Sequence, residues 1–180
     1  MEKYFEAIIA GFGGQGVMLM GELICEAATK LNLYATFFPS YGPEMRGGTA
    51  NCNVIVSSSP IASPVLALSK YIVVMNKPSF DKFENKVKEG GILFMNSSLI
   101  DKEPTRKDIE IIKIPANDIA DKLGNVVVAN MVMLGAVIEK TKILPLDTIK
   151  EVIEKFLSDR KKELIEINFK ALEEGSKLVK

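Results

Sequence analysis

An α/β fold built on a mostly parallel sheet is the architecture this sequence predicts, and three observations predict it. Short runs rich in β-branched and aromatic residues alternate with segments of helical period, the pattern of chains wound from βαβ units. A glycine-rich stretch joins the first of those runs to the first helical segment. The chain has 180 residues, 47% of them hydrophobic, which is enough for one domain with its own core. No repeat, low-complexity tract or Pro/Ser-rich linker divides it, so residues 1–180 are read as a single domain with a core over about 5–140 and a helical tail over about 145–180.

Residues 6–10 open the chain as a strand. The segment 16–31 carries Val17, Leu19, Met20, Leu23, Ile24, Ala27, Ala28 and Leu31, which return to one helical face and suit a crossover helix. Two strands are expected over 33–38 and 50–56, and a fourth over 71–75. Pro78 and Ser79 open a second helix over 78–88, with Phe80, Phe83 and Val87 on one face and Gly90-Gly91 as its stop. Strands over 92–96 and 109–114 follow, then a short helix over 117–123 ended by Gly124. The apolar segment 126–140 is read as helix. Residues 145–157 place Leu146, Ile149, Val152, Ile153, Phe156 and Leu157 on one stripe, with Asp147 at the positive end of the helix dipole. In the last segment, 160–180, apolar residues spread wider than a core-facing stripe needs, which leaves an edge for another subunit.

Composition excludes several chemistries. The 23 Lys and Arg balance 23 Asp and Glu, so there is no basic footprint for nucleic acid or an anionic membrane. With no His, a Ser-His-Asp or Cys-His catalytic scheme and a His-containing zinc site are both out of reach. Cys25 and Cys52 are the two cysteines, far apart and outside any C-x-x-C pattern, so one chain cannot ligate a four-cysteine zinc or iron–sulfur site. Both are read as reduced, inert core residues. The amino-terminal residues do not form a signal-peptide pattern and no run reaches 18 apolar residues, so a cytoplasmic protein without a membrane span is expected.

Gly11-Phe12-Gly13-Gly14-Gln15-Gly16 fits G-x-G-x-x-G between a strand and a helix. Glycine permits a tight turn and close approach of backbone N–H groups to an anion, and the helix start adds partial positive charge. The same glycines also serve close strand-to-helix packing. A dinucleotide site needs an acid about 20 residues on to bind the ribose. Here Thr36-Phe37-Phe38-Pro39 stand in its place, with no acid before Glu44 and no arginine before Arg46, so NAD and NADP are disfavoured. Gln15 is an unusual choice for packing alone and is read as a polar contact for ligand or partner.

A second stretch, Ser40-Tyr41-Gly42-Pro43-Glu44-Met45-Arg46-Gly47-Gly48-Thr49, follows the second strand, at the sheet edge where α/β proteins bind ligands. Arg46 offers a fork of donors to phosphate or carboxylate, Glu44 can hold it in place, and Gly47-Gly48 give the backbone freedom. A plain surface pair of Glu44 with Arg46 is the alternative. Lys77, in Asn76-Lys77-Pro78-Ser79, is another cation at this edge, although Pro78 and Ser79 also serve to start a helix.

These residues carry a resemblance. GFGGQGV at 11–17 followed by SYGPEMRGGTANCNVIVS at 40–57 resembles the gamma subunit of 2-oxoacid:ferredoxin oxidoreductases, and the likeness continues through Ser63-Pro64, residues 75–83 and residues 125–135. It covers roughly residues 5–140. The resemblance implies a Rossmann-like sheet with helices on both faces, in one subunit of a complex that converts a 2-oxoacid, coenzyme A and oxidised ferredoxin into acyl-CoA, carbon dioxide and reduced ferredoxin. It also implies thiamine diphosphate, Mg2+ and [4Fe-4S] clusters carried by alpha, beta and ferredoxin-like delta subunits, with ferredoxin as electron acceptor. The YGPEMRGGTA form is closer to subunits associated with 2-oxoglutarate, while pyruvate and 2-oxoisovalerate types stay open. Gly11, Gly13, Gly14, Gln15, Gly16, Tyr41, Glu44, Arg46, Gly47 and Gly48 are then the expected polar edge, facing the catalytic subunits or coenzyme A, with no catalytic or metal-binding residue in this chain. Two other readings compete. One is a stand-alone regulatory module binding a nucleotide or CoA, and the other is a stand-alone nucleotide-dependent oxidoreductase, which lacks both the ribose-binding acid and a proton-transfer residue. An isolated chain is compatible with a homodimer.

Overall fold

The computed structural model describes residues 3–42, 49–157 and 162–179. Strands occupy all six expected places: β1 (Tyr4–Phe12), β2 (Tyr34–Tyr41), β3 (Thr49–Ser57), β4 (Ser69–Val74), β5 (Val87–Asn96) and β6 (Glu110–Ile114). They form one sheet in the order β2-β3-β1-β4-β5-β6. β1, β4, β5 and β6 pair in parallel, while β3 runs antiparallel to both β1 and β2. β3 alone therefore opposes the common strand direction. Alternation of strands and helices does not anticipate this, because β2 and β3 follow each other with no helix between them. Thr49 pairs with Phe12 and Tyr41 with Ala50, so the connection between β2 and β3 leaves the sheet beside the end of β1.

The helices are α1 (Val17–Lys30), α2 (Lys77–Phe83), α3 (Ala116–Lys122), α4 (Ala129–Thr141), α5 (Leu146–Phe156) and α6 (Lys162–Lys177). Five of them share one face of the sheet. There Phe5, Ile9, Val54, Val73 and Phe94 meet Met20 and Ile24 of α1, Val132 and Leu134 of α4, Ile149 of α5 and Leu172 of α6. On the opposite face α2 sets Phe80 and Phe83 against Ile8, Ile72 and Leu93. Each side chain of this size contributes about 1.5–3 kcal/mol when fully buried, so the larger cluster carries most of the hydrophobic stabilisation. Helices thus cover both faces, unequally.

Three expectations change in detail. The helix read over 78–88 ends at Phe83, a 3-10 turn covers Glu84–Lys86, and β5 begins at Val87, which pairs with Ser69. Gly90-Gly91 do not stop a helix. Gly90 has φ +68° and a Cβ on Gly91 would lie 2.5 Å from the Lys70 carbonyl oxygen, so the pair builds an irregularity inside a longer strand. The segment 126–140 opens as a 3-10 turn at Val126–Val128, and α4 is buried at every position from Ala129 to Ile138, which is why its sequence shows no clear face. The tail is anchored. Ala171, Leu172, Gly175 and Ser176 of α6 are buried, whereas Leu164 near its start is exposed. Residues 160, 161 and 180 of the helix read over 160–180 lie outside the described residues.

Candidate functional site at the carboxyl edge of the sheet

The ends of β1, β2, β4, β5 and β6 share one edge, and β1 stands between its parallel neighbour β4 and its antiparallel neighbour β3. Connections diverge here, which is where open α/β sheets form a crevice for ligands. The turn after β1 is closed by Gln15 N donating to the Phe12 carbonyl at 3.1 Å. Gly14 and Gly16 hold φ +99° and +71°, a region that costs side chains energy and glycine little. Gly11 is packed: a Cβ there would sit 2.8 Å from Val17 Cγ1 and 3.2 Å from Met75 Cβ. A Cβ on Gly16 would sit 2.2 Å from Asn130 Nδ2, so α4 approaches the backbone closely. Gly13 and Gly14 face solvent, and a Cβ on Gly14 would meet nothing within 4 Å. Gly16 caps α1 without a side-chain hydrogen bond, and the first turn of α1 carries no acid. Its leading N–H groups and partial positive charge are therefore left to water or a ligand.

Gln15 does not point its amide outward from this turn. Its Oε1 accepts from Phe12 N at 2.8 Å and from Asn76 Nδ2 at 2.7 Å, and its Nε2 donates to the Met75 carbonyl at 3.3 Å. Asn76 is buried and caps α2, its Oδ1 accepting from Ser79 N at 2.9 Å. The Met75 carbonyl also accepts from Asn96 Nδ2 at 3.2 Å. Asn96, buried at the end of β5, donates to Asn117 Oδ1 at 2.8 Å and accepts from Ala116 N at 3.2 Å. The sequence reading had not joined these amides. Their signal was an Asn or Gln just past, or at, the end of each of β1, β4, β5 and β6.

The second stretch reaches this site by its flanks. Tyr41 is 70% exposed and Gly42 N donates to the Thr49 carbonyl at 2.8 Å beside the glycine turn. Glu44, Arg46, Gly47 and Gly48 lie outside the described residues. Lys77 sits nearby with its Nζ 3.0 Å from Asp101, whose carboxyl is held below the usual range chiefly by that hydrogen bond. Its charge is thus partly answered within the chain. An apolar cleft of about 300 Å³ opens on the α1 side of the turn, lined by Leu19, Leu23, Val127, Met131, Phe156 and Leu164. A smaller notch of about 180 Å³ lies between Gly14, Gln15, Met75, Asn117 and Val127.

Among the described residues, thiolate and metal chemistry have little to work with. Burial pushes the thiols of Cys25 and Cys52 up to about 12, and each sulfur faces a backbone carbonyl, of Thr36 and Val17 respectively. Neither is a thiolate nucleophile near neutral pH. Among the described residues no three His, Cys, Asp or Glu side chains are grouped to hold a metal, and no helix is long and apolar enough to cross a membrane. What the edge offers is backbone donors on a fixed frame.

A mixed six-stranded sheet flanked by helices, with a glycine turn at its point of diverging connections, defines an α/β domain. Its residues 6–178 match the model of the pyruvate ferredoxin/flavodoxin oxidoreductase family, and the chain belongs to that family. It is 38% identical over 170 residues to the ketoisovalerate oxidoreductase subunit VorA of Methanothermobacter marburgensis, covering 93% of this chain and 35% of that one. Among solved structures it is similar to the 2-oxoglutarate:ferredoxin oxidoreductase of Magnetococcus marinus, solved with 2-oxoglutarate, coenzyme A and succinyl-CoA bound. The TM-score is 0.91 at 25% identity, over 98% of this chain and 31% of that one. It is also similar to the keto/oxoacid ferredoxin oxidoreductase gamma subunit of Geobacter sulfurreducens, with TM-score 0.84 and 28% identity over 98% and 96% of the two chains. The chain thus spans about a third of the length of the VorA relative and of the Magnetococcus protein.

Proposed function

We propose that this chain is the gamma-type component of a thiamine-diphosphate-dependent 2-oxoacid:ferredoxin oxidoreductase, working with alpha, beta and ferredoxin-like delta subunits in the cytoplasm. The observation that carries this is the match of nearly the whole chain to the family. Two buried thiols do not fit an iron–sulfur cluster, so the clusters belong to the partner subunits, to which we also assign thiamine diphosphate and Mg2+. Coenzyme A is the one participant this chain's residues suit. Gly13 and Gly14 expose backbone without side chains, α1 begins without an acid, and Tyr41 stands beside the turn. Arg46, with Glu44 orienting it and Gly47-Gly48 giving it freedom, supplies a fork of donors to a phosphate. Gly11 and Gln15 frame the turn. The Magnetococcus structure with coenzyme A bound supports this reading, as does its 2-oxoglutarate, the substrate class we favour.

The test is Arg46→Ala in the assembled complex. Loss of a charge-assisted hydrogen bond to a phosphate costs about 1.5–3 kcal/mol, so the KM for coenzyme A rises at least tenfold, or the subunits fail to co-purify. Unchanged assembly together with unchanged KM sinks the site.

A further inference from the structure

In the chain that links Gln15, Asn76, the Met75 carbonyl, Asn96 and Asn117, a backbone N–H that cannot change sign dictates the amide orientation of Gln15, Asn76 and Asn96, and Asn96 then sets that of Asn117. Ser79 N occupies Asn76 Oδ1, so Asn76 must present its Nδ2 to Gln15. Phe12 N makes the same demand from the other side, and both donors require an oxygen. Gln15 therefore places Oε1 between them and its Nε2 on the Met75 carbonyl, the same oxygen that receives Asn96 Nδ2. Asn96 is fixed in turn by Ala116 N. An amide flip anywhere sets donor against donor or acceptor against acceptor, and Asn76 and Asn96 are buried at 3% and 0% exposure, where an unmet polar group is expensive.

We propose that Gln15 is a positioning residue, which Asn76 and the Met75 carbonyl hold so that it latches the glycine turn to the end of β4 and keeps Gly13, Gly14 and the start of α1 in their open arrangement. Gln15 is the residue of the turn with a side chain able to cap α1. Spent on the latch, it leaves that helix start unoccupied. Geometry also favours glutamine over shorter residues, because its amide must reach back to Phe12 N and across to β4 at once.

Asn76→Ser isolates the link: a serine hydroxyl still caps α2 by accepting from Ser79 N, but does not reach Gln15. The readouts are hydrogen exchange of the full chain, followed over 11–19, and the KM and kcat for coenzyme A of the assembled oxidoreductase. Asn76→Ser and Gln15→Ala should each speed exchange over 11–19 by about three- to tenfold, as loss of net hydrogen bonds implies, with β6 and α6 unaffected. The double variant should be no faster than the faster single. Additive effects or an unchanged turn overturns the latch. The link to catalysis rests on the coenzyme A reading above. A KM for coenzyme A raised several-fold at unchanged kcat supports both, whereas faster exchange with an unchanged KM keeps the latch and removes coenzyme A from the turn.

Discussion

Gly14 and Gly16 hold the same backbone region for different reasons, and the difference is measurable. At Gly14 a side chain meets only open space, so Ala costs the left-handed strain alone, about 1–2 kcal/mol. At Gly16 the added Cβ also drives into Asn130, whose Nδ2 donates to the Gly16 carbonyl at 3.4 Å. Urea unfolding should therefore show Gly16→Ala destabilised more than Gly14→Ala by about 1 kcal/mol or more, the cost of overpacking. Placed on an Asn130→Ala background, the gap between the two glycine substitutions should shrink, because only the Cβ of residue 130 then remains, 3.2 Å from the added carbon. Equal losses on the native background would remove the close approach of α4 from the explanation of Gly16.

Elements repeat that argument at larger size. α4 and α6 meet through Gly135 and Gly175: a Cβ on the first would lie 1.9 Å from the Leu172 carbonyl oxygen, and one on the second 1.8 Å from that of Val132. The neighbour in both cases is backbone, which cannot swing aside. Gly135→Ala must separate the helices along their contact and should cost about 1–3 kcal/mol or more, read as a fall in Tm with β-sheet circular dichroism retained. This contact bears on what the sequence disclosed. All six strands were legible because their β-branched runs are short and bounded, and α5 because one stripe and Pro145 mark it. The wide apolar surface of α6 suggested a second subunit, yet much of it is spent on α4, and only three-dimensional proximity shows which side chains those are. The candidate site was legible as the glycine turn after β1, while most of the stretch after β2 lies outside the described residues. Its frame was not, since Asn76, Asn96 and Asn117 look like ordinary turn residues until parallel pairing brings their strand ends together. Likewise Gly90-Gly91 carry the same letters whether they end a helix or bend a strand.

For the molecule as a whole, stability and chemistry are separately housed. The two cores and the amide chain make a support, while the carboxyl edge carries exposed backbone, Tyr41 and, among the described residues, no cluster of metal-ligating side chains. Net charge is zero, so the field of the whole chain draws no polyanion and any anion preference must arise locally. Purified alone, the full chain should be colourless, contain no iron, and fail to reduce ferredoxin with any 2-oxoacid, coenzyme A and added thiamine diphosphate. Restoring alpha, beta and delta subunits should bring back brown colour and turnover together, as followed by iron analysis and ferredoxin reduction. Turnover by the chain alone would overturn the division of labour, because two cysteines of raised pKa give the chain no ligand set for a cluster to carry the electrons.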